Sequence, residues 1–348
     1  MSKLGVLEDT LFVPMLGRIY ASEYCPQILY DPKALELKKK LPSDLLGKGG
    51  QSQYTLLASA ARSANVDQFI RTFLERRPDG VVVQLGYGLE TTYSRCDNGH
   101  TRWYALDMPH VVEYRRALLS EPERETYLAG DAFAEDWIRQ IRADVPDAPI
   151  LVTAGGLFHY FEENKVVGLL RMLTGFGEIE IVFDTVSKSG MAMMRKKYMK
   201  QVGHRDAQMF FYVDSASELT GKIGSGVRVL AEEPYYRHIP RTGLKLSTKI
   251  SMSVSDRFWM VQDGPSGNRM MPSPKAVRSV PVGFFWSGYG HTLLTNHLAG
   301  FIITTLYNTV IWRRTWKKNL PSHWRKSNRP PWRSFPRKAS RGPPCGRS

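Results

Sequence analysis

The stretch Gln84-Leu85-Gly86-Tyr87-Gly88-Leu89-Glu90 constrains this chain more than any other feature. It continues Val81-Val82-Val83, a short apolar run rich in β-branched residues that suits a strand buried on both faces. Its two glycines let the backbone turn sharply and approach a ligand closely. Asp107 follows Gly88 by 19 residues, at the end of a second strand candidate, where an acid can accept both hydroxyls of a ribose. Gly-x-Gly alone is equally the mark of an ordinary strand-to-helix turn. Strand, glycine turn, second strand and terminal acid together predict a nucleoside-binding loop.

The surrounding pattern predicts an α/β fold. Further strand candidates lie at 102–106, 126–129, 150–153, 179–183 and 227–231, with helical stretches at 111–119, 134–141, 163–174 and 191–201 between most of them. Such alternation implies a Rossmann-like parallel sheet with right-handed crossovers and helices on both faces. The ligand is then expected beyond the carboxyl ends of the strands, at the switch point. A helix over 51–77 precedes the first strand. Residues 1–50, interrupted by Pro14, Pro26, Pro32 and Pro42, read as a cap of short helices. The expected organisation is a cap over 1–50, a ligand-binding domain over 51–262 and a tail over 263–348.

Charge separates the tail from the rest. The net charge of +15 suggests nucleic acid until it is located: residues 263–348 hold 15 Lys and Arg and one acid, Asp263. Residues 1–262 keep 33 bases and 32 acids, so a core that binds nucleic acid through its charge is not expected. The tail also contains 10 of the 21 prolines and five of the eight tryptophans, which points to an irregular, disordered or non-native extension. Its charge-free stretch 292–312 has membrane-like flanks, but eight of its 21 residues are Thr, Asn or His, which argues against a membrane contact. The run from Gln262 to Asn268, with Pro265 and two glycines, cannot hold a central strand, so a shortened or missing last strand is expected. Cys25, Cys96 and Cys345 form no Cys-x-x-Cys pair, so neither a metal site nor a disulfide framework is expected. A reducing cytoplasm fits them best, and the N-terminus lacks a secretory pattern.

The glycine loop also discriminates between nucleosides. A dinucleotide fingerprint would carry a third glycine at position 91, where the pyrophosphate needs close helix–strand contact, but this chain has Thr91. S-adenosylmethionine has no phosphate to cradle, so it is favoured over NAD.

With these residues in view, the chain resembles the leucine carboxyl methyltransferases and the tetracenomycin-type polyketide O-methyltransferases, which are class I S-adenosylmethionine-dependent enzymes. The likeness runs through Leu16-Gly17-Arg18-Ile19-Tyr20-Ala21-Ser22, Ala60-Ala61-Arg62-Ser63-Ala64 and the segment from Pro78 to Thr91. It continues at Arg102-Trp103-Tyr104-Ala105-Leu106-Asp107-Met108-Pro109, at Trp137-Ile138 and at Ala154-Gly155-Gly156-Leu157-Phe158-His159-Tyr160-Phe161, covering about residues 10–261.

The resemblance implies transfer of a methyl group to oxygen, on a small-molecule hydroxyl or a carboxylate. It implies that Arg62 pairs with the cofactor carboxylate, a task for a forked guanidinium. Gly86, Tyr87 and Gly88, with Gly155 of the fourth-strand motif, would line the cofactor. Asp107 would hold the ribose and Asp131 would contact the adenine. His159 is the candidate base or acceptor-orienting group, and Tyr20 and Tyr198 are candidates for the acceptor pocket. Each has a plainer alternative: a solvated arginine, a helix N-cap aspartate, a packed histidine, a core tyrosine. Relatives end in an antiparallel last strand.

Two departures stand out. Relatives follow the loop acid with Thr-Arg, where this chain has Glu90-Thr91-Thr92, and many carry a glutamate at the position of Gly155. A catalytically impaired relative is therefore one rival reading, a dinucleotide-dependent oxidoreductase on the same fold a second, and a basic nucleic-acid or membrane-surface binder driven by the tail a third.

Overall fold

The computed structural model of the protein describes residues 6–41, 52–192, 209–259 and 301–307. Two helices open it, α1 (Val6–Tyr24) and α2 (Pro32–Lys38), followed by the long α3 (Gln53–Arg76). Then β1 (Val81–Leu85), α4 (Thr92–Cys96), β2 (Trp103–Asp107), α5 (Pro109–Leu118), β3 (Glu125–Ala129), α6 (Asp136–Asp144) and β4 (Ile150–Ala154) alternate. A 3-10 turn (Phe158–Tyr160) leads to α7 (Glu163–Leu173), β5 (Ile179–Asp184), α8 (Ala216–Ile223), β6 (Val227–Pro234), α9 (Leu246–Trp259) and β7 (Phe301–Tyr307).

The sheet has seven strands in the order β3-β2-β1-β4-β5-β7-β6, and every described pair is parallel. Its central strands are buried along their length because both faces are covered, as a parallel sheet requires. Side-chain alternation divides the core. Val81, Val83, Leu85, Val152 and Ile181 meet Ile138, Ile141, Val166, Leu170 and Leu219 on one face. Val82, Trp103, Leu151 and Val182 meet Val66, Ile70 and Phe73 of α3 on the other.

The strand order reverses between β1 and β4, both of which start from the centre of the sheet, so their carboxyl ends frame the expected crevice. Register decides what lies there. Leu85 pairs with Leu106, which sets Gly86 level with Asp107, and Ala154 pairs with Phe183, which sets Gly155 level with Asp184.

The described residues of the N-terminal helices pack in clusters shared with α3 and the glycine loop. Ala21, Cys25, Ile28 and Leu29 share a cluster with Leu57, Ala60 and Ala61 of α3, while Phe12, Met15 and Ile19 pack with Leu37 and with Leu89 of the glycine loop. A Cβ on Gly17 would lie 2.4 Å from the Leu56 carbonyl oxygen, so α1 and α3 can cross this closely only at a glycine. The first cap helix is longer than its prolines suggested: α1 runs 19 residues with Pro14 inside it. Burial of its apolar face outweighs local propensity.

The last strand corrects two expectations. It is neither missing nor antiparallel: Phe301–Tyr307 pairs in parallel with β5 and with β6. Its sequence, Phe-Ile-Ile-Thr-Thr-Leu-Tyr, is rich in β-branched residues and lies within the charge-free stretch of the tail. The connection from Pro234 to Phe301 contains α9 and exceeds the dozen or so residues that a parallel crossover needs. The rest of 263–348, including Phe284 and Trp286, lies outside the described residues. So does Tyr198, on the stretch expected to be helical from 191, although residues 188–192 are helical.

Candidate functional site

The glycine loop is held open by its own backbone. Gly86 and Gly88 sit at φ of 61° and 53°, in the left-handed region that side chains disfavour. A Cβ on Gly86 would stand 2.7 Å from Leu157 Cδ1, so this turn and the one after β4 are in direct contact. Asp107 closes the loop from the side, its Oδ2 accepting from the Gly88 amide at 2.6 Å and its Oδ1 from the Met108 amide at 2.8 Å. Burial raises its pKa and the two amides partly offset that rise. Each oxygen keeps lone-pair capacity for a ribose hydroxyl.

A second group gathers beyond β4 and β5. Asp184, 3% exposed, accepts from Arg62 Nε at 2.8 Å, from the Gly156 amide at 2.5 Å and from His159 Nε2 at 3.3 Å. Burial opposes its ionisation, but Arg62, His159 and the Gly156 amide overcome this and hold it well below the usual carboxylate range. Burial likewise works against the charge of Arg62, and Asp184 with the nearby Tyr235 and Tyr160 more than compensates, raising its pKa. Asp184 takes only the Nε edge of Arg62. The outer nitrogens lie over Gly156, where a Cβ would meet Nη1 at 2.5 Å, and the Arg62 side chain remains a quarter exposed. That outer edge is the part of a guanidinium that forks onto a carboxylate.

The hydrogen bond to an ionised Asp184 assigns the ring proton of His159 to Nε2. Nδ1 is then the lone-pair nitrogen, and it is buried with no hydrogen-bond partner among the described residues. The His159 carbonyl accepts from the Phe210 amide at 2.7 Å, which seats the segment after residue 208 against this turn.

Behind the loop lies a buried charge network. Glu90 accepts from Arg18 Nη1 at 3.1 Å, Arg95 Nη2 at 2.9 Å and Ser63 Oγ at 2.8 Å, and these partners overcome its burial to hold it well below the usual range. Arg95 also forks onto Asp67 at 2.8 and 3.0 Å and reaches Asp31 at 2.6 Å. The arginine absent at position 92 therefore does not leave Glu90 unpaired. Ser63 adjoins Arg62, so the network joins the loop to the helix that presents the anchor.

The structure thus brings Arg62, Gly155 and His159 together around Asp184, and Gly86, Gly88 and Asp107 together around the loop. Asp131 is exposed one residue past Gly130, whose amide bonds to the Asp107 carbonyl, and its Oδ1 accepts from the Phe133 amide at 2.9 Å. The Tyr87 side chain is buried with Ala105, Val112 and Tyr127, so only its main chain faces the loop's interior turn. Tyr20 packs on the cap cluster and its hydroxyl accepts from Gln53 at 3.2 Å. Sequence reasoning missed Asp184, Arg18, Arg95 and Arg115. An acid ending the fifth strand candidate was the one available signal for Asp184.

Gly156 tests this geometry. Its φ of 72° would strain an alanine by about 1–2 kcal/mol. The added Cβ would also push the Arg62 guanidinium aside. Gly156→Ala is expected to stay folded in circular dichroism and to bind S-adenosylhomocysteine about tenfold more weakly by calorimetry, equivalent to roughly 1.4 kcal/mol.

Comparison with known proteins supplies an independent reading. Residues 14–174 match the family model for leucine carboxyl methyltransferase. Over 172 residues the chain is 28% identical to the tetracenomycin polyketide synthesis O-methyltransferase TcmP of Streptomyces glaucescens, a match that spans 49% of this chain and 62% of that protein. Among solved structures, an S-adenosylmethionine-dependent methyltransferase of Anabaena variabilis aligns with a TM-score of 0.37 at 16% identity, over 49% of this chain and 74% of that one. The magnesium protoporphyrin IX methyltransferase of Synechocystis aligns with a TM-score of 0.38 at 10% identity, over 62% and 90%.

Proposed function

Taking residues 14–174 as a member of the leucine carboxyl methyltransferase family, we propose that the protein is an S-adenosylmethionine-dependent O-methyltransferase acting on a small-molecule acceptor. One observation supports this reading: the outer edge of Arg62 lies over the turn that follows β4, the left-handed glycine turn follows β1 and Asp107 ends β2, three neighbouring strands. These groups fit the three parts of the cofactor. Arg62 suits its carboxylate, the left-handed backbone of Gly86 and Gly88 suits a turn beside its methionine chain, and Asp107 suits its ribose.

When bound, the cofactor supplies a sulfonium methyl open to in-line displacement. The chain's part is to hold and orient. Arg62, fixed by Asp184, anchors one end of the cofactor, and Asp107, fixed by two amides, anchors the other. An acceptor hydroxyl must lose a proton, and we assign that step to His159 Nδ1, which the Nε2–Asp184 contact leaves as the lone-pair nitrogen of the ring. A carboxylate acceptor would need no such step. A lone-pair nitrogen with no partner among the described residues supports the hydroxyl reading.

The test uses S-adenosylmethionine labelled in its methyl group with separate panels of phenolic and carboxylic acceptors, read from pH 5 to 9. Transfer to a phenol is expected, with His159→Gln lowering the rate by about 10²–10⁴-fold. Transfer to carboxylates alone, unaffected by His159→Gln, would contradict the hydroxyl assignment. No transfer to any acceptor, together with reduction of NAD in a parallel assay supplied with NAD and alcohols as hydride donors, would contradict methyl transfer itself.

A further inference from the structure

Two buried arginines grip the glycine loop by its carbonyls. Arg18 of α1, 1% exposed, donates from Nη2 to the Leu89 carbonyl at 2.7 Å. Arg115 of α5, 4% exposed, donates from Nη1 to the carbonyls of Gly88 at 3.2 Å and Glu90 at 2.7 Å. Three successive peptide carbonyls are thus tied to guanidinium groups from two different helices. Each arginine is itself fixed. Arg18 Nε bonds Asp31 at 3.1 Å, and the Arg115 guanidinium lies 4.0 Å from the Tyr87 ring centroid and 4.7 Å from that of Tyr127.

Burying two guanidinium groups costs solvation, and apolar side chains would fill the same space more cheaply. What arginine adds is direction, because its planar fork fixes the carbonyls it meets. A loop with two glycines at positive φ has the most conformational freedom to lose on binding, so fixing it beforehand lowers the cost of taking up a ligand. We propose that Arg18 and Arg115 are positioning residues that hold the Gly86–Glu90 loop in its binding conformation, and that Arg18 thereby makes the N-terminal helix part of the cofactor site. The assignment of the ligand rests on the function proposed above; the clamp itself does not.

Arg18→Met is the variant of choice, because Arg95 still partners Glu90 and Asp31 when Arg18 is gone. Two readouts are taken on the full chain: calorimetric affinity for S-adenosylhomocysteine, and amide exchange of the ligand-free protein at Gly88 and Glu90. At least a tenfold loss of affinity is expected, with at least tenfold faster exchange at those amides while Val82 and Val83 in β1 exchange as in the wild type. A role confined to stability would lower the melting temperature and leave both readouts unmoved in the folded variant, and that result overturns the proposal. Should Arg18→Met fail to fold, Arg18→Lys decides by the same criteria, since it keeps the charge and loses the fork. If the wild type binds no S-adenosylhomocysteine, the proposed function falls while the exchange rates still decide the clamp.

Discussion

Arg62→Ala is expected to bind S-adenosylhomocysteine about tenfold to a hundredfold more weakly, the loss of a charge-assisted bond worth roughly 1.5–3 kcal/mol. Isothermal calorimetry on folded protein reads this directly. The alanine variant also loses stability, because buried Asp184 is left with the Gly156 amide and His159 when the guanidinium goes, so affinity is read well below its melting temperature. Arg62→Lys should recover only part of the loss, since an ammonium can approach a carboxylate or Asp184 but cannot fork between them. Affinity unchanged in the alanine variant would make Arg62 a purely structural partner of Asp184.

Arg95→Leu should be the most destabilising single change in the described structure's charge network. Arg95 is 3% exposed at its side chain and serves Asp67, Asp31 and Glu90. Removing one member of a buried ion pair leaves uncompensated charge and costs about 3–5 kcal/mol, or roughly 6–20 °C in melting temperature. The sign of its pH dependence follows from the same groups. Asp67 has its pKa raised by burial even with Arg95 present, and without Arg95 it rises further. An acid with a raised folded pKa costs stability above that value, and protonation relieves the cost as pH falls. Glu90 works in the opposite sense in the wild type. Its depressed pKa contributes stability above about pH 4.3, and that contribution fades as the pH drops below it. The difference in melting temperature between variant and wild type is therefore expected to be larger at pH 7.5 than at pH 5, by differential scanning calorimetry. A constant difference would mean that the network is held by packing and not by charge.

Much of this was legible before the structure, and the parts that were not share a cause. The glycine loop and Asp107 announce themselves through local chemistry, a turn that only glycine makes easily and an acid at a strand end, while Arg62 and His159 were singled out within the family resemblance. Asp184 does not, because its meaning comes from register, which sets it level with Gly155 on the neighbouring strand. Arg18 and Arg95 look like solvated helix residues in sequence and become buried partners only because α1 and α4 fold back onto the loop. The strand Phe301–Tyr307 was hidden differently. Composition averaged over the proline- and charge-rich tail masked seven residues of strong β propensity. Its parallel direction depends on the length of the preceding connection, which no local pattern reveals.

The loop and its two anchors are expected to bind a methionine-derived nucleoside and not a dinucleotide. A thermal-shift comparison of S-adenosylhomocysteine with NAD tests it most directly, because a ligand that binds the folded state alone stabilises it, by about 2.7 kcal/mol at a hundred times its dissociation constant. S-adenosylhomocysteine is expected to raise the melting temperature in a concentration-dependent way while NAD leaves it unchanged. Stabilisation by NAD, with none by S-adenosylhomocysteine, would instead make the loop a dinucleotide site.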